Sequence, residues 1–152
     1  MNRLIKVGLL VFLVALCFGA EITTHFRQHQ PPAPAEHDLY SVVNRQLADF
    51  RADDFTSAYE YAASGMQRKF SRTQFERMIR RDFASMTRVA RVEFGAIRVA
   101  DDAVFMQVFL IGSEGTVRGF LYRFMAESGS WKIAGVQSLG PPSAWRLSGL
   151  RI

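Results

Sequence analysis

Histidine is confined to His25, His29 and His37, all ahead of the first segment with helical periodicity, and the chain has one cysteine, Cys17. A lone thiol cannot close an internal disulfide, and without a Cys/His cluster there is no zinc-finger or iron–sulfur spacing, so no metal site is expected. Phosphate-binding glycine loops, dinucleotide fingerprints and nucleophile elbows are missing as well, and no cofactor is expected. Charge of one sign is scarce: 19 Lys and Arg against 14 Asp and Glu leave a net +5, short of a dedicated nucleic-acid binder. What is present, 49% apolar and 22% charged residues in 152, suits one globular domain and excludes a multidomain enzyme.

The amino terminus pairs a basic flank, Arg3 and Lys6, with an uncharged apolar run from Val7 to Ala20. The run has the length of a secretory h-region and is short for a membrane span of about 17–25 residues, which Leu4 to Ile22 reaches if Lys6 snorkels. Residues 1–22 are therefore a signal peptide or a signal anchor. Cleavage after Ala20 or Gly19 would put Phe18 or Cys17 at the −3 position, and the small-residue rule thus favours the anchor. Bulky Leu16 before Cys17 argues against lipidation. With the basic flank in the cytoplasm, the rest of the chain is expected outside it, membrane-anchored or secreted. Residues 23–37, with Pro31, Pro32 and Pro34, read as an extended spacer.

From Asp38 the pattern turns helical. Leu39, Val43, Leu47 and Phe50 predict a first helix over 39–51 capped by Asp38. Phe55, Ala58, Tyr59 and Ala62 predict a second, capped by Asp53 or Asp54 and stopped at Ser64-Gly65. Ser71 and Gln74 form a capping-box pattern ahead of a third helix over 72–84. Beyond Val89 the period falls to two, and strands are predicted over 89–99, 103–111, 116–127 and 131–139. Their short links join only antiparallel neighbours, so the sheet is a meander. Gly95, Gly119 and Gly135 inside strands permit bulges and bends. The expected fold is α+β: three helices on a curved four-stranded antiparallel sheet, a domain over 38–139 with a tail over 140–152.

This plan resembles the cone fold of nuclear transport factor 2-like domains. Within that class, Gln46 to Asp54, Ala58 to Ser64, Met66 to Phe70, Val92 to Gly95 and Trp131 to Val136 are similar to a family of small exported bacterial domains of unknown function. That family carries a Pro- and Tyr-rich stretch after the third helix, where this chain has Asp82 to Arg88. The resemblance implies fold and compartment and no activity.

Enzymes on the cone fold place an acid, a base or a His–Asp pair at the bottom of an apolar cavity. With its three histidines in the spacer, the domain over 38–139 is expected to have none. Asp38, Asp53, Asp54, Asp101, Asp102, Glu114 and Glu127 sit at element ends as caps and turn residues, leaving Asp49, Glu60, Asp82 and Glu93 without a second catalytic type by spacing. The expected function is a non-catalytic extracytoplasmic binding or assembly module. The alternative is a small extracytoplasmic enzyme using a cavity carboxylate.

Three sets of residues are candidates for contacts. Phe94, Gln107, Tyr122 and Gln137 would line a ligand pocket, set against the plainer reading of a filled core. Arg77, Arg80 and Arg81, in a basic stretch from Gln67 to Arg98, would meet anionic lipid or an acidic partner, set against an ordinary solvated helix face. If Phe120, Tyr122 and Phe124 point at the helices, Leu121 and Met125 point away from them, towards a second copy, another protein, or the tail with Trp145, Leu147, Leu150 and Ile152.

Overall fold

The computed structural model describes residues 34–140. The signal or anchor segment, Cys17, most of the spacer and the tail beyond Gly140 lie outside the described residues. The first helix, α1 (Glu36–Arg51), starts two positions ahead of the expected cap. Ala35 is its N-cap, and Asp38 instead joins Glu36 in the first turn, where a carboxylate meets the positive end of the helix dipole. The early start also takes His37 out of the spacer and into that turn, where its side chain is exposed. The stripe Leu39, Val43, Leu47 and Phe50 is buried as its spacing requires.

The end of α1 has a defined geometry. Asp53 takes a left-handed φ of 62°, its N–H reaches Phe50 O at 3.3 Å, and Asp54 N–H reaches Asp49 O at 2.9 Å. This is the pair of bonds that closes a Schellman turn, made here with aspartate in the usual glycine place. Asp54 then caps α2 (Phe55–Glu60), accepting Ser57 N–H at 3.0 Å and the Ser57 hydroxyl at 2.7 Å.

Ser64 and Gly65 do not stop a helix; they open a further short one, α3 (Ser64–Lys69). The Glu127 carboxylate, from the sheet, accepts Ser64 N–H at 2.9 and 3.1 Å and the Ser64 hydroxyl at 2.9 Å. No local pattern announces a partner 63 residues away. In α4 (Arg72–Asp82) the capping box forms: Ser71 Oγ accepts Gln74 N–H at 3.3 Å and Gln74 Oε1 accepts Ser71 N–H at 2.8 Å. This helix ends two residues short of its expected limit, and a 3-10 turn, Ala84–Arg88, fills the stretch that departs from the Pro- and Tyr-rich pattern.

Strands β1 (Val89–Ala100), β2 (Ala103–Gly112), β3 (Val117–Glu127) and β4 (Ser130–Leu139) pair antiparallel in the order β1-β2-β3-β4. The domain is thus α+β, with four α-helices among the described residues where three were expected. Val104, Met106, Val108 and Leu110 of β2 and Phe120, Tyr122 and Phe124 of β3 face the helices and are buried with Ile133 of β4. Bulges interrupt the ladder between Phe94 and Ile97 and opposite Arg123 and Phe124, and such extra residues bend and twist a strand. At the first bulge Gly95 is required, since a Cβ there would lie 2.9 Å from the Phe109 ring and 3.0 Å from Gln107. The link between α2 and α3 runs along β4, where Ala63 N–H meets Ile133 O and Ile133 N–H meets Tyr61 O, both at 2.8 Å. The edge of β4 is therefore partly paired and less open to stray strands. Among the described residues no helix is long and apolar enough to cross a membrane.

Candidate functional site

A cavity of about 240 Å³ opens between α1, α3, α4 and β4. Buried Phe50, Phe75, Ile79, Met86 and Ile133 form its floor, and half-buried Met66, Phe70, Met78, Phe83 and Val136 form its rim. Gln46 is the single polar side chain among the described residues of the lining and is 3% exposed. Its Nε2 donates to Ala58 O at 3.1 Å, so the amide bridges α1 to α2 and its Oε1 is the remaining acceptor. Of the six methionines, Met66, Met78 and Met86 line this space. Unbranched thioether chains adapt to irregular gaps and to varied occupants.

Phe70 and Met78 are shared with a shallower recess of about 270 Å³ on the outside of α4, lined also by Gln74, Arg77, Arg81 and Asp82. A wider cleft of about 530 Å³ lies between the 3-10 turn and the β2–β3 hairpin and is of mixed charge, with Arg81, Arg88 and Arg118 beside Asp82 and Glu114. Hydrogen bonds from its own backbone N–H and from the Thr116 and Ser113 hydroxyls hold the Glu114 carboxyl below its ordinary range.

Residues 32–146 match the model of a domain of unknown function, DUF4864. The chain belongs to this family. Two solved structures align with this DUF4864 domain. One is from Campylobacter jejuni and is called an NTF2-like transpeptidase; it is 13% identical, with a TM-score of 0.49, over 67% of this chain and 99% of that one. The other is Aln2 from a Streptomyces species, 16% identical, with a TM-score of 0.45, over 70% of this chain and 91% of that one. Among curated proteins none matches the sequence.

The residues expected to line a pocket in the DUF4864 domain do not converge on one. Tyr122 is fully buried in the core, its hydroxyl 3.8 Å from Met86 Sδ, and burial pushes the phenol far up, so it stays protonated. Phe94 stacks on Tyr40 with ring centroids 4.3 Å apart. Gln107 projects to the face away from the helices, where its Oε1 accepts Ala96 N–H at 3.4 Å, a donor left over by the β1 bulge. Gln137 is exposed on that same face, paired through Leu121 with Gln107 in the ladder. The pocket residues that sequence reasoning missed sit on or beside helices: Met66 on α3 with Phe70 just after it, at i, i+4, and Met78 on α4, one position from Arg77. Their spacing signals an apolar face without revealing that the space beside it is unfilled.

The arginine set also divides. Arg80 reaches Asp53 and Glu76, each at 2.9 Å, and lies 4.3 Å over the Phe55 ring, so it brackets α4 to the α1–α2 turn. Arg81 makes two bonds of 2.8 Å to Asp82. Arg77 makes no ion pair with any described residue, which reduces the expected three-arginine contact to one free cation. Leu121 and Met125 lie half-buried on the outer face, with exposed Arg123 between them.

The carboxylates left by the sequence reading do not reach the cavity. Glu93 pairs with Arg91 at 2.8 Å, Asp82 with Arg81, and Glu60 is exposed. Asp49 has a buried Oδ2 that makes no hydrogen bond with a described residue; burial, and then the charge of Asp54, raise its pKa. It is absent from the cavity lining. Among the described residues no group of three His, Cys, Asp or Glu could hold a metal ion.

Proposed function

We propose that this DUF4864 domain is a non-catalytic binding module that takes a small apolar group into the cavity between α3, α4 and β4. One observation carries the reading: a space of about 240 Å³ walled by phenylalanine, methionine and aliphatic side chains, with Gln46 as its single polar side chain and no ionisable group among its described lining. Such a lining can bury a ligand and has no group that exchanges protons near neutrality, the first need of acid–base chemistry. The described residues of this lining include no carboxylate, which favours the binding reading over the alternative of an enzyme with a cavity carboxylate. The apolar run behind Arg3 and Lys6 supports a place outside the cytoplasm, tethered or exported.

Methionine methyl groups provide the test. With Met ε-methyls labelled in the full chain, carried in phosphatidylcholine nanodiscs, 1-octanol should shift the signals of Met66, Met78 and Met86 and leave Met125, on the opposite face of the sheet, unmoved. Equal shifts at all four, or none, would remove the cavity from consideration.

The outer face supports a second contact. Phe105, Ile111, Leu121, Met125 and Leu139 are half-buried on the side of the sheet turned away from the helices, more apolar area than a solvated face needs. A second copy of the chain is the partner we propose there. Leu121→Ser with Met125→Ser should raise the dimer dissociation constant by at least tenfold in sedimentation equilibrium while leaving the circular dichroism spectrum intact.

A further inference from the structure

The cavity and the recess beside it are two parts of one site, because Phe70 and Met78 line both. Gln74, Arg77, Met78 and Arg81 project from the same side of α4, so a molecule leaving the cavity past Met78 comes directly upon the two guanidinium groups. Of these, Arg81 is already held by Asp82 at 2.8 Å, which also neutralises the one carboxylate among the described residues of the recess. Arg77 is left as the uncommitted charge at the mouth of an apolar cavity. We infer that the ligand is an anionic amphiphile, with its acyl chain in the cavity and its acidic head group on Arg77. This deepens the binding reading given above and depends on it.

The dimensions agree with a short single chain. At about 30 Å³ per water the cavity holds the liquid volume of about eight waters, and a chain of roughly eight carbons fills comparable space. Arginine suits a carboxylate or phosphate head because its planar fork of donors matches two acidic oxygens at once. At an exposed rim the pairing contributes modestly, and most of the affinity comes from the buried chain. The shared chemistry, an alkyl chain bearing an acidic group, occurs both in free fatty acids and in anionic bilayer lipids.

Octanoate and 1-octanol share a chain length and differ in head-group charge, so the pair separates the two parts of the site. On the full chain in phosphatidylcholine nanodiscs, octanoate should saturate the Met66, Met78 and Met86 shifts at about fivefold lower concentration than 1-octanol at low salt. Arg77→Gln should erase that advantage and leave 1-octanol binding as it was, and raising ionic strength should narrow the gap in the wild type. Equal saturation by the two ligands, or an Arg77→Gln variant that keeps the preference, would overturn the head-group inference and leave the cavity reading standing. Failure of both ligands to move the three methyls would overturn the cavity reading itself. Moving the chain into phosphatidylglycerol nanodiscs identifies the source: shifts without added octanoate assign the ligand to bilayer lipid, and shifts that need octanoate assign it to the free acid.

Discussion

Phe50→Ala should destabilise the domain by about 3–5 kcal/mol, a large share of the total stability of about 5–15 kcal/mol usual for domains of this kind. Phe50 is 2% exposed at the last turn of α1, with its ring 5.8 Å from Phe55 and 6.0 Å from Phe75. It is thus the point at which α1, α2 and α4 meet. Its removal joins a new void to the cavity it already floors, and a cavity wall has fewer neighbours able to move in and refill the space. Urea denaturation of the wild type and variant measures the difference. Phe50→Leu, which keeps most of the volume, should cost less than half as much, and a loss below about 1 kcal/mol for the alanine variant would show that the three helices are held together elsewhere.

Glu127→Ala should cost about 2–3 kcal/mol and open the ligand cavity as well. The carboxylate takes three hydrogen bonds from Ser64, two from its N–H and one from its hydroxyl, and bonds to a charged acceptor contribute about 1.5–3 kcal/mol. They fix the first turn of α3, a helix of 6 residues that is too short to persist without tertiary support. Met66 lies on that helix and Phe70 directly follows it, so the outer rim of the cavity moves when α3 frays. Hydrogen exchange should show lost protection across α3 with α1 unaffected, and 1-octanol should bind more weakly in step. Glu127→Gln, which still accepts from Ser64, should fall between the two. A Glu127→Ala variant with wild-type exchange in α3 would mean that the Tyr59 hydroxyl bonds to Gln67 O and Phe70 O, at 3.0 and 2.6 Å, suffice to hold it.

Local chemistry made much of this fold legible in the sequence. The stripe from Leu39 to Phe50, the capping box at Ser71 and Gln74 and the period-two strands involve neighbours within a few residues, where geometry ties spacing directly to a face or a cap. The misplaced features have other causes. Ser64 and Gly65 read as a helix stop because glycine ends helices by default, and only the distant Glu127 makes them a start. The α1 start moved to Glu36, taking His37 with it, because Ala35, a weak cap by side chain, already has the extended backbone a cap needs.

The candidate site divides along the same line. Alternation places Phe120, Tyr122 and Phe124 on one face and Leu121 and Met125 on the other. It does not fix whether the odd or the even residues of β2 turn inward, since both sets are apolar. Packing settles that question, burying Val104, Met106, Val108 and Leu110 under the helices. Gln107 looked like a pocket residue because a polar side chain in an apolar strand suggests a ligand, and the β1 bulge that gives it Ala96 N–H as a partner is a property of two strands together. Composition and periodicity by themselves determined the α+β meander, the capping box of α4, and the lack of histidine and cysteine beyond His37. Tertiary structure alone decided where the core is left unfilled and which of Arg77, Arg80 and Arg81 lacks an acid among the described residues: a cavity and a free charge are defined by what lies across from a residue, and spacing along the chain records only what lies beside it.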